Sequence, residues 1–290
     1  MIRSITPRDQ SYPALLREIA DPPKQLYVAG NDLVQGPAVA VVGARKASRY
    51  GAEVASWIAA ALAEHGVTIV SGLARGIDAA AHRGALSAGG LTVGVLGCGL
   101  DICYPAGNRS LFDQIAVEGT LVSEYEAGTR PLPFHFPVRN RIIAGMSLAV
   151  VIVEGRPDGG AMITARLAAE YGREVFAVPG PVHSAGSRGP HLLLRDGARL
   201  AASAGDVLED LGLDPGTLRP GEPVVLEPDE QRLIDCLEAE PQLLDVIARR
   251  AGCPAATASA ILMKLEMKGL AARDGGARYA IAVASPRADT

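Results

Sequence analysis

The chain has 290 residues, 48% of them hydrophobic and 21% charged, with a formal net charge of −4. This length and apolar content suit a soluble globular protein with a large core and room for two domains, and they exclude a disordered chain. The acidic balance excludes a generally basic coat, so a polyanion would have to bind one local patch.

No apolar run is long enough to span a membrane, and Met1-Ile2-Arg3-Ser4-Ile5-Thr6-Pro7 lacks an apolar signal core, which places the chain in the cytoplasm. Cys98, Cys103, Cys236 and Cys253 form no C-x-x-C pair, so buried thiols are expected rather than disulfides or zinc. His65, His135, His183 and His191 show no metal spacing, and no metal or cofactor is expected.

Residues 1–36 read as a lead-in with a short helix around Tyr12-Pro13-Ala14-Leu15-Leu16 and an extended stretch at 22–27. From 38 to 210 strands and helices alternate. Strands are predicted at 38–42, 67–70, 91–96, 120–122, 148–153 and 174–178, the first of them a continuous apolar run buried on both faces. Helices are predicted at 50–64, 78–87, near 108–117, near 139–144 and at 161–171. Such alternation implies a Rossmann-like α/β domain over 37–211, a doubly wound, mostly parallel sheet with right-handed crossovers. Residues 212–228 form a Pro- and Gly-rich linker. Helices at 229–237, 243–251 and 255–268, with a hairpin around Asp274-Gly275-Gly276, then give a winged-helix pattern over 229–282, and 283–290 is a tail.

Five Gly- and Arg-rich segments read as loops leaving strand ends. They are Gly43-Ala44-Arg45, Gly72-Leu73-Ala74-Arg75-Gly76, Gly97-Cys98-Gly99, Phe136-Pro137-Val138-Arg139-Asn140-Arg141 and Asp158-Gly159-Gly160. In a parallel α/β sheet such loops gather along one edge. Glycines admit a ligand to the backbone, helix N-termini add partial positive charge, and fixed guanidinium groups bind phosphate.

Which phosphate is decided by elimination. Gly43-Ala44-Arg45 lacks the second glycine of a dinucleotide fingerprint, and Val70-Ser71-Gly72 ends the second strand without a ribose-binding acid. No Walker loop and no Gly-x-Ser-x-Gly elbow occur. Asp78 and His82 lie four apart on one helix and could form an acid–base pair, although local structural roles are the expected reading. Thr164 and Ser147 lie near helix termini, where capping or packing suffices.

A nucleic-acid backbone remains. Arg45, Arg75, Arg139 and Arg141 would grip phosphates, with Phe134 and Phe136 beside them for stacking. The alternatives are ordinary core packing for the two rings and a structural ion-pair network for Arg139 and Arg141.

The ordered set Val41-Val42-Gly43-Ala44-Arg45, Ser48-Arg49-Tyr50-Gly51, Ser71-Gly72-Leu73-Ala74-Arg75-Gly76-Ile77-Asp78, Gly97-Cys98-Gly99, Tyr104-Pro105, 136–145, Ile163-Thr164-Ala165 and Val178-Pro179-Gly180 resembles the DNA-processing protein A (DprA/Smf) family. The resemblance runs from about Tyr12 to Leu211. It implies a non-enzymatic single-stranded DNA-binding mediator in natural transformation, which protects incoming strands and loads the RecA recombinase. It also implies a homodimer formed through the Rossmann-like domain. The DNA-contacting set it suggests is Gly43, Arg45, Ser48, Gly72, Arg75, Gly76, Phe136, Arg139, Asn140, Arg141, Gly160 and Thr164.

The extra N-terminal helical domain of many members is expected to be absent, and His191 stands where the family usually has Asn. The winged helix resembles an appendage of some members. From Val225 onward it carries eight basic and ten acidic residues, a net charge that does not favour duplex binding. Two other classes compete. A nucleoside-monophosphate phosphoribohydrolase would need a Glu soon after Gly159-Gly160, and none occurs before Glu170. A transcription regulator would need a more basic third helix than Lys264, Glu266 and Lys268 provide.

Overall fold

The apolar run Ala38–Val42 forms an interior strand of a nine-stranded sheet in the computed structural model, which describes residues 2–33, 36–213, 226–238, 240–267, 270–273 and 277–281. The chain divides into two units, Met1–Gly221 and Glu222–Thr290.

In the first unit the strands are β1 (Arg3–Ile5), β2 (Leu26–Gly30), β3 (Ala38–Val42), β4 (Thr68–Ser71), β5 (Thr92–Leu96), β6 (Thr120–Ser123), β7 (Ala149–Ile152), β8 (Glu174–Ala177) and β9 (Arg199–Leu200). The helices are α1 (Ala14–Arg17), α2 (Arg49–Glu64), α3 (Ile77–Ser87), α4 (Arg109–Glu118), α5 (His135–Gly145), α6 (Gly160–Glu170), α7 (Arg188–Arg195) and α8 (Ala204–Asp210). Strand order is β1-β2-β6-β5-β4-β3-β7-β8-β9. Pairing is parallel from β6 through β9, and β2 joins β6 antiparallel, with β1 antiparallel to β2 at the edge.

The alternation of side chains along each strand explains the layers. Val39, Val41, Val151 and Phe176 meet α2, α3 and α8 on one face. Ala40, Val42, Val150 and Ile152 meet α1, α5 and α6 on the other. The strand order grows from β3 through β4, β5 and β6, then returns to place β7 and β8 on the other side of β3. The crevice between the outgoing ends of β3 and β7 is therefore the topological switch point, the usual ligand position in open α/β sheets.

Three differences from the sequence reading have physical causes. The lead-in supplies two strands, because a short antiparallel pair can cover the edge of β6. The segment 136–141 is not a loop, because α5 begins at His135. Pro137 lies in that first turn, where its missing N–H leaves no helical bond unmade. The two-residue β9 carries too short a pattern to be read from sequence.

In the second unit, α9 (Pro228–Ile234), α10 (Leu244–Ala251) and α11 (Ala255–Met267) accompany a three-stranded sheet of β10 (Gln242–Leu243), β11 (Ala271–Arg273) and β12 (Arg278–Ile281), in order β10-β12-β11. This is the winged-helix arrangement. Gly252 closes α10 in the left-handed region at φ 67°. Leu233, Ile247, Leu262 and Leu265 fill the core. Most of the expected linker, the hairpin tip 274–276 and the tail lie outside the described residues. No helix among the described residues is long and apolar enough to cross a membrane.

Candidate functional site

Asp78, in the first turn of α3, organises the loops at the strand ends. Its Oδ2 accepts the amides of Gly72 at 3.1 Å and Ala74 at 3.4 Å, and the Gly43 amide also donates to this carboxylate. Burial raises its pKa, while the nearby Arg139 cation and the three amides oppose the rise. His82, one turn on, is fully buried with Nδ1 2.7 Å from Thr92 Oγ1. Both side chains have structural partners inside the domain.

Arg139 projects from α5 beneath the same loops. Its Nη1 donates to the carbonyl of Gly72 at 2.7 Å and to that of Val95. Burial pulls its pKa down to about 10, and it remains a cation at neutral pH. The sequence reading placed Arg139 on a phosphate-gripping surface. It is 4% exposed, with its charge used to hold strand-end carbonyls, and it contributes to the lining of both cavities described below. Arg141 is also redirected: it pairs with Glu124 at 2.7 Å and Asp21 at 3.3 Å, and it lines neither cavity described below. Helical geometry explains this, since neighbours two apart on a helix do not share a face.

The glycines of these loops serve close packing within the protein. A Cβ at Gly72 would lie 2.5 Å from Arg139 Nη2, and Gly76, at φ 80°, would meet the Ala44 carbonyl oxygen at 2.2 Å. The Ile77 amide donates to that Ala44 oxygen at 3.2 Å, which stitches the β3 loop to the start of α3.

The solvent side of these loops is a shelf of cations and rings. Arg45 lies over the Phe136 ring, 5.2 Å from its centroid, and Phe136 stacks on Tyr104 at 5.3 Å and 29°. Arg75 is exposed beside them, and Arg45, Arg75, Tyr104 and Phe136 line one small cleft. Phe134 is 63% exposed and Tyr104 is 41% exposed, so neither ring is spent on the core. Phe136 is half-buried and belongs to both the shelf and its support.

At the switch point a cavity of about 530 Å³ opens beside the shelf. Gly43, Arg45, Asn140, Gly160 and Thr164 all line it. Asn140 Nδ2 donates to the Gly160 carbonyl at 3.2 Å and so fixes α5 against the start of α6. Ser48 caps α2 by accepting from the Gly51 amide at 3.0 Å. Its hydroxyl donates to Glu154 Oε1 at 2.5 Å, and its amide to Oε2 at 2.9 Å.

Of the twelve sequence-derived residues, Arg45, Gly72, Arg75, Phe136 and Arg139 line the small cleft of the shelf, while Gly43, Arg45, Phe136, Arg139, Asn140, Gly160 and Thr164 line the cavity. Ser48, Gly76 and Arg141 line neither. Sequence reading missed Lys46 and Arg156, which line the cavity, and it gave Tyr104 a place in the family motif but no site role, although its ring supports Phe136. It also missed the buried Glu154, whose only signal was an acid directly after the apolar run at 148–153. Glu170 is the last residue of α6, roughly 15 Å along the axis from Gly160, so it cannot supply a hydrolase acid at the helix start. No group of three His, Cys, Asp or Glu suited to a metal occurs among the described residues. His191, at the unusual position, places Nε2 3.0 Å from the Gly180 carbonyl oxygen.

Comparison with known proteins adds an independent line. Residues 3–212 match the family model described as DNA recombination-mediator protein A, and residues 217–277 match that of the DprA winged helix domain. Protein Smf of Synechocystis sp. is 38% identical over 314 aligned positions, covering 95% of this chain and 79% of the relative. The X-ray structure of DNA processing protein A from Streptococcus pneumoniae superposes with a TM-score of 0.70 at 46% identity, covering 72% of this chain and 74% of that one. DNA processing protein A from Helicobacter pylori, whose structure was described for its single-stranded DNA binding mode, gives a TM-score of 0.65 at 30% identity, covering 73% of this chain and 95% of that one.

Proposed function

Because the chain belongs to the DNA recombination-mediator protein A family, we propose that it binds single-stranded DNA along the strand-end shelf and acts as a recombination mediator in natural transformation. The observation that carries this reading is Arg45 seated over Phe136, itself stacked on Tyr104, with Arg75 alongside. Guanidinium groups neutralise phosphates while exposed rings accept unstacked bases. A paired duplex hides its base faces and would use only the charges.

In this reading Arg45, Lys46 and Arg75 take the phosphates, and Tyr104, Phe134 and Phe136 take the bases. Gly43, Ser48, Gly72, Gly76, Asn140, Gly160 and Thr164 shape the loops and the adjoining cavity. Arg139 and Arg141 act from beneath, by holding the frame. Stacking on ring faces favours single strands with little base specificity. The mediator would work in the cytoplasm as a homodimer built on the Rossmann-like domain, protecting incoming strands and loading RecA onto them. It would turn over no nucleotide.

A salt-titrated binding assay tests the core of this. Single strands should bind more tightly than duplex of the same length, with affinity falling linearly in log salt by a slope that reflects a handful of phosphates. Equal affinity for both in the presence of an intact fold would sink the reading. Sedimentation and a RecA strand-exchange assay test the dimer and the loading step separately.

A further inference from the structure

The loop that carries Arg75 is held in a conformation its residues do not prefer. Leu73 lies in the left-handed region at φ 54°, the one non-glycine there among the described residues. In that region a Cβ crowds the carbonyl oxygen that follows it, so the conformation persists only where surrounding contacts impose it. The Leu73 side chain is fully buried in a cluster with Leu111, Phe112 and Ile115 of α4. Packing against α4 therefore fixes one side of this residue.

Asn108 fixes the other. Its Nδ2 donates to the Leu73 carbonyl at 2.9 Å and to the Ala74 carbonyl at 3.2 Å. Asn108 is buried and stands just before α4, where an asparagine ordinarily bonds to the opening amides of its own helix. It makes no such cap. A single 3-10 turn, Ala106–Asn108, leads into α4 and leaves Asn108 at φ −100° and ψ 18°, away from the extended backbone of a capping residue. The amide is thereby turned across the domain, onto a loop 35 positions earlier in the chain.

Both ends of this link reach the shelf. Exposed Arg75 directly follows Ala74, so its place is set by the backbone that Asn108 holds. At the other end, the Asn108 amide donates to the Pro105 carbonyl at 3.0 Å, closing the turn that Tyr104 enters. Tyr104 is the ring stacked on Phe136. One buried amide thus joins the segment that bears a shelf cation to the segment that bears a shelf ring.

We propose that Asn108 is a positioning residue for strand binding. It does not touch the strand. By holding the left-handed turn at Leu73 it fixes the separation between the Arg75 cation and the Tyr104 ring. A phosphate and a neighbouring base then meet groups already in place, and binding loses no affinity to ordering the loop. Without the two bonds the turn at Leu73 relaxes and Arg75 moves with it. The proposal rests on the strand-binding reading and adds to it a residue that lies outside the binding surface.

A double-mutant cycle on the full chain tests it, with single-strand affinity measured for the wild type, Asn108→Ala, Arg75→Ala and the two together. Asn108→Ala should weaken binding about fivefold while Arg75 is present, and less than about twofold once Arg75 is replaced. The slope of log affinity against log salt should shrink by about 0.7 in Asn108→Ala, as though the phosphate contact itself had been removed. Asn108→Ser keeps one donor in a smaller volume and should recover part of the affinity. Melting curves set a temperature at which every variant is folded. A residue that only stabilises the domain would weaken binding equally in both backgrounds, and that result overturns the proposal. So does unchanged affinity, or unfolding of both Asn108 variants. A wild-type chain that binds strand with no coupling in the cycle overturns this proposal alone. A wild-type chain that binds no strand overturns the strand reading and this proposal with it.

Discussion

The buried guanidinium of Arg139 donates to the carbonyl of Gly72 at 2.7 Å, which ties α5 to the loop that leaves β4. Asp78 accepts the amide of the same glycine at 3.1 Å. The backbone of Gly72 is thereby gripped on both sides, and the shelf above inherits its shape from this grip. Arg139→Ala should act first on stability. It leaves two strand-end carbonyls without their donor and the Asp78 carboxylate without its nearby cation. The expected loss is about 3 kcal/mol, since removing one partner from a buried charged network strands the other. Urea unfolding measures it, and a change below about 1 kcal/mol would mean that Arg139 is dispensable to the frame.

Arg45→Ala should leave the frame intact, because the side chain is exposed and its guanidinium rests on the ring of Phe136. Affinity for single strands is expected to fall by about 1–2 kcal/mol. The slope of log affinity against log salt should also shrink by about 0.7, the signature of one lost phosphate contact on a single strand. Unchanged affinity and slope would remove Arg45 from the interface.

Phe136 and Tyr104 should contribute through stacking and so act without regard to sequence. Tyr104→Ala is the cleaner test, because Tyr104 is 41% exposed while Phe136 is half-buried. A loss of about 1–3 kcal/mol for every homopolymer with an unchanged salt slope is expected. A loss confined to one base would point to hydrogen-bond reading instead.

The parallel core was legible because both-face burial leaves continuous apolar runs, and 38–42 was recovered to the residue. Arg45 and Arg75 were legible as strand-end cations. The roles of Arg139 and Arg141 were not, because a local sequence window shows an arginine's charge but not the helix face that carries it. That face depends on where α5 starts, and Pro137 disguised the start. Glu154 and Ser48 meet across 106 positions of chain, a contact that no local pattern announces.

His82 gives the domain an acid sensitivity. It is fully buried, its Nε2 has no partner, and burial together with the Arg139 and Arg83 cations pulls its pKa down to about 3 from 6.5. Below pH 6.5 the unfolded chain takes a proton at this site and the folded chain does not. Stability therefore falls as pH drops from about 6.5 towards 3, by up to about 1.4 kcal/mol per pH unit from this group. His82→Asn can keep a donor for Thr92 and should flatten that part of the curve. Urea midpoints from pH 7 to pH 4 for both proteins measure the difference, and parallel curves would refute it.

The winged helix should not be the main strand site. Its third helix, α11, presents Met263, Lys264 and Glu266 to solvent, a mixed face rather than the several basic or amide groups that a major-groove helix uses. With ten acids against eight basic residues from Val225 onward, the electrostatic term for phosphate is unfavourable across the unit. The shelf and the cavity both lie within the first unit, which has its own core on each face of the sheet. Lys264→Glu in the full chain should change single-strand affinity by less than about twofold, or 0.4 kcal/mol. Deleting residues 222–290 should leave most of that affinity in place. A loss of more than about tenfold, 1.4 kcal/mol, in a deletion that keeps its fold and oligomeric state would move the main site to the winged helix. It would also favour the reading in which the α/β unit senses a ligand and the small domain holds the nucleic acid.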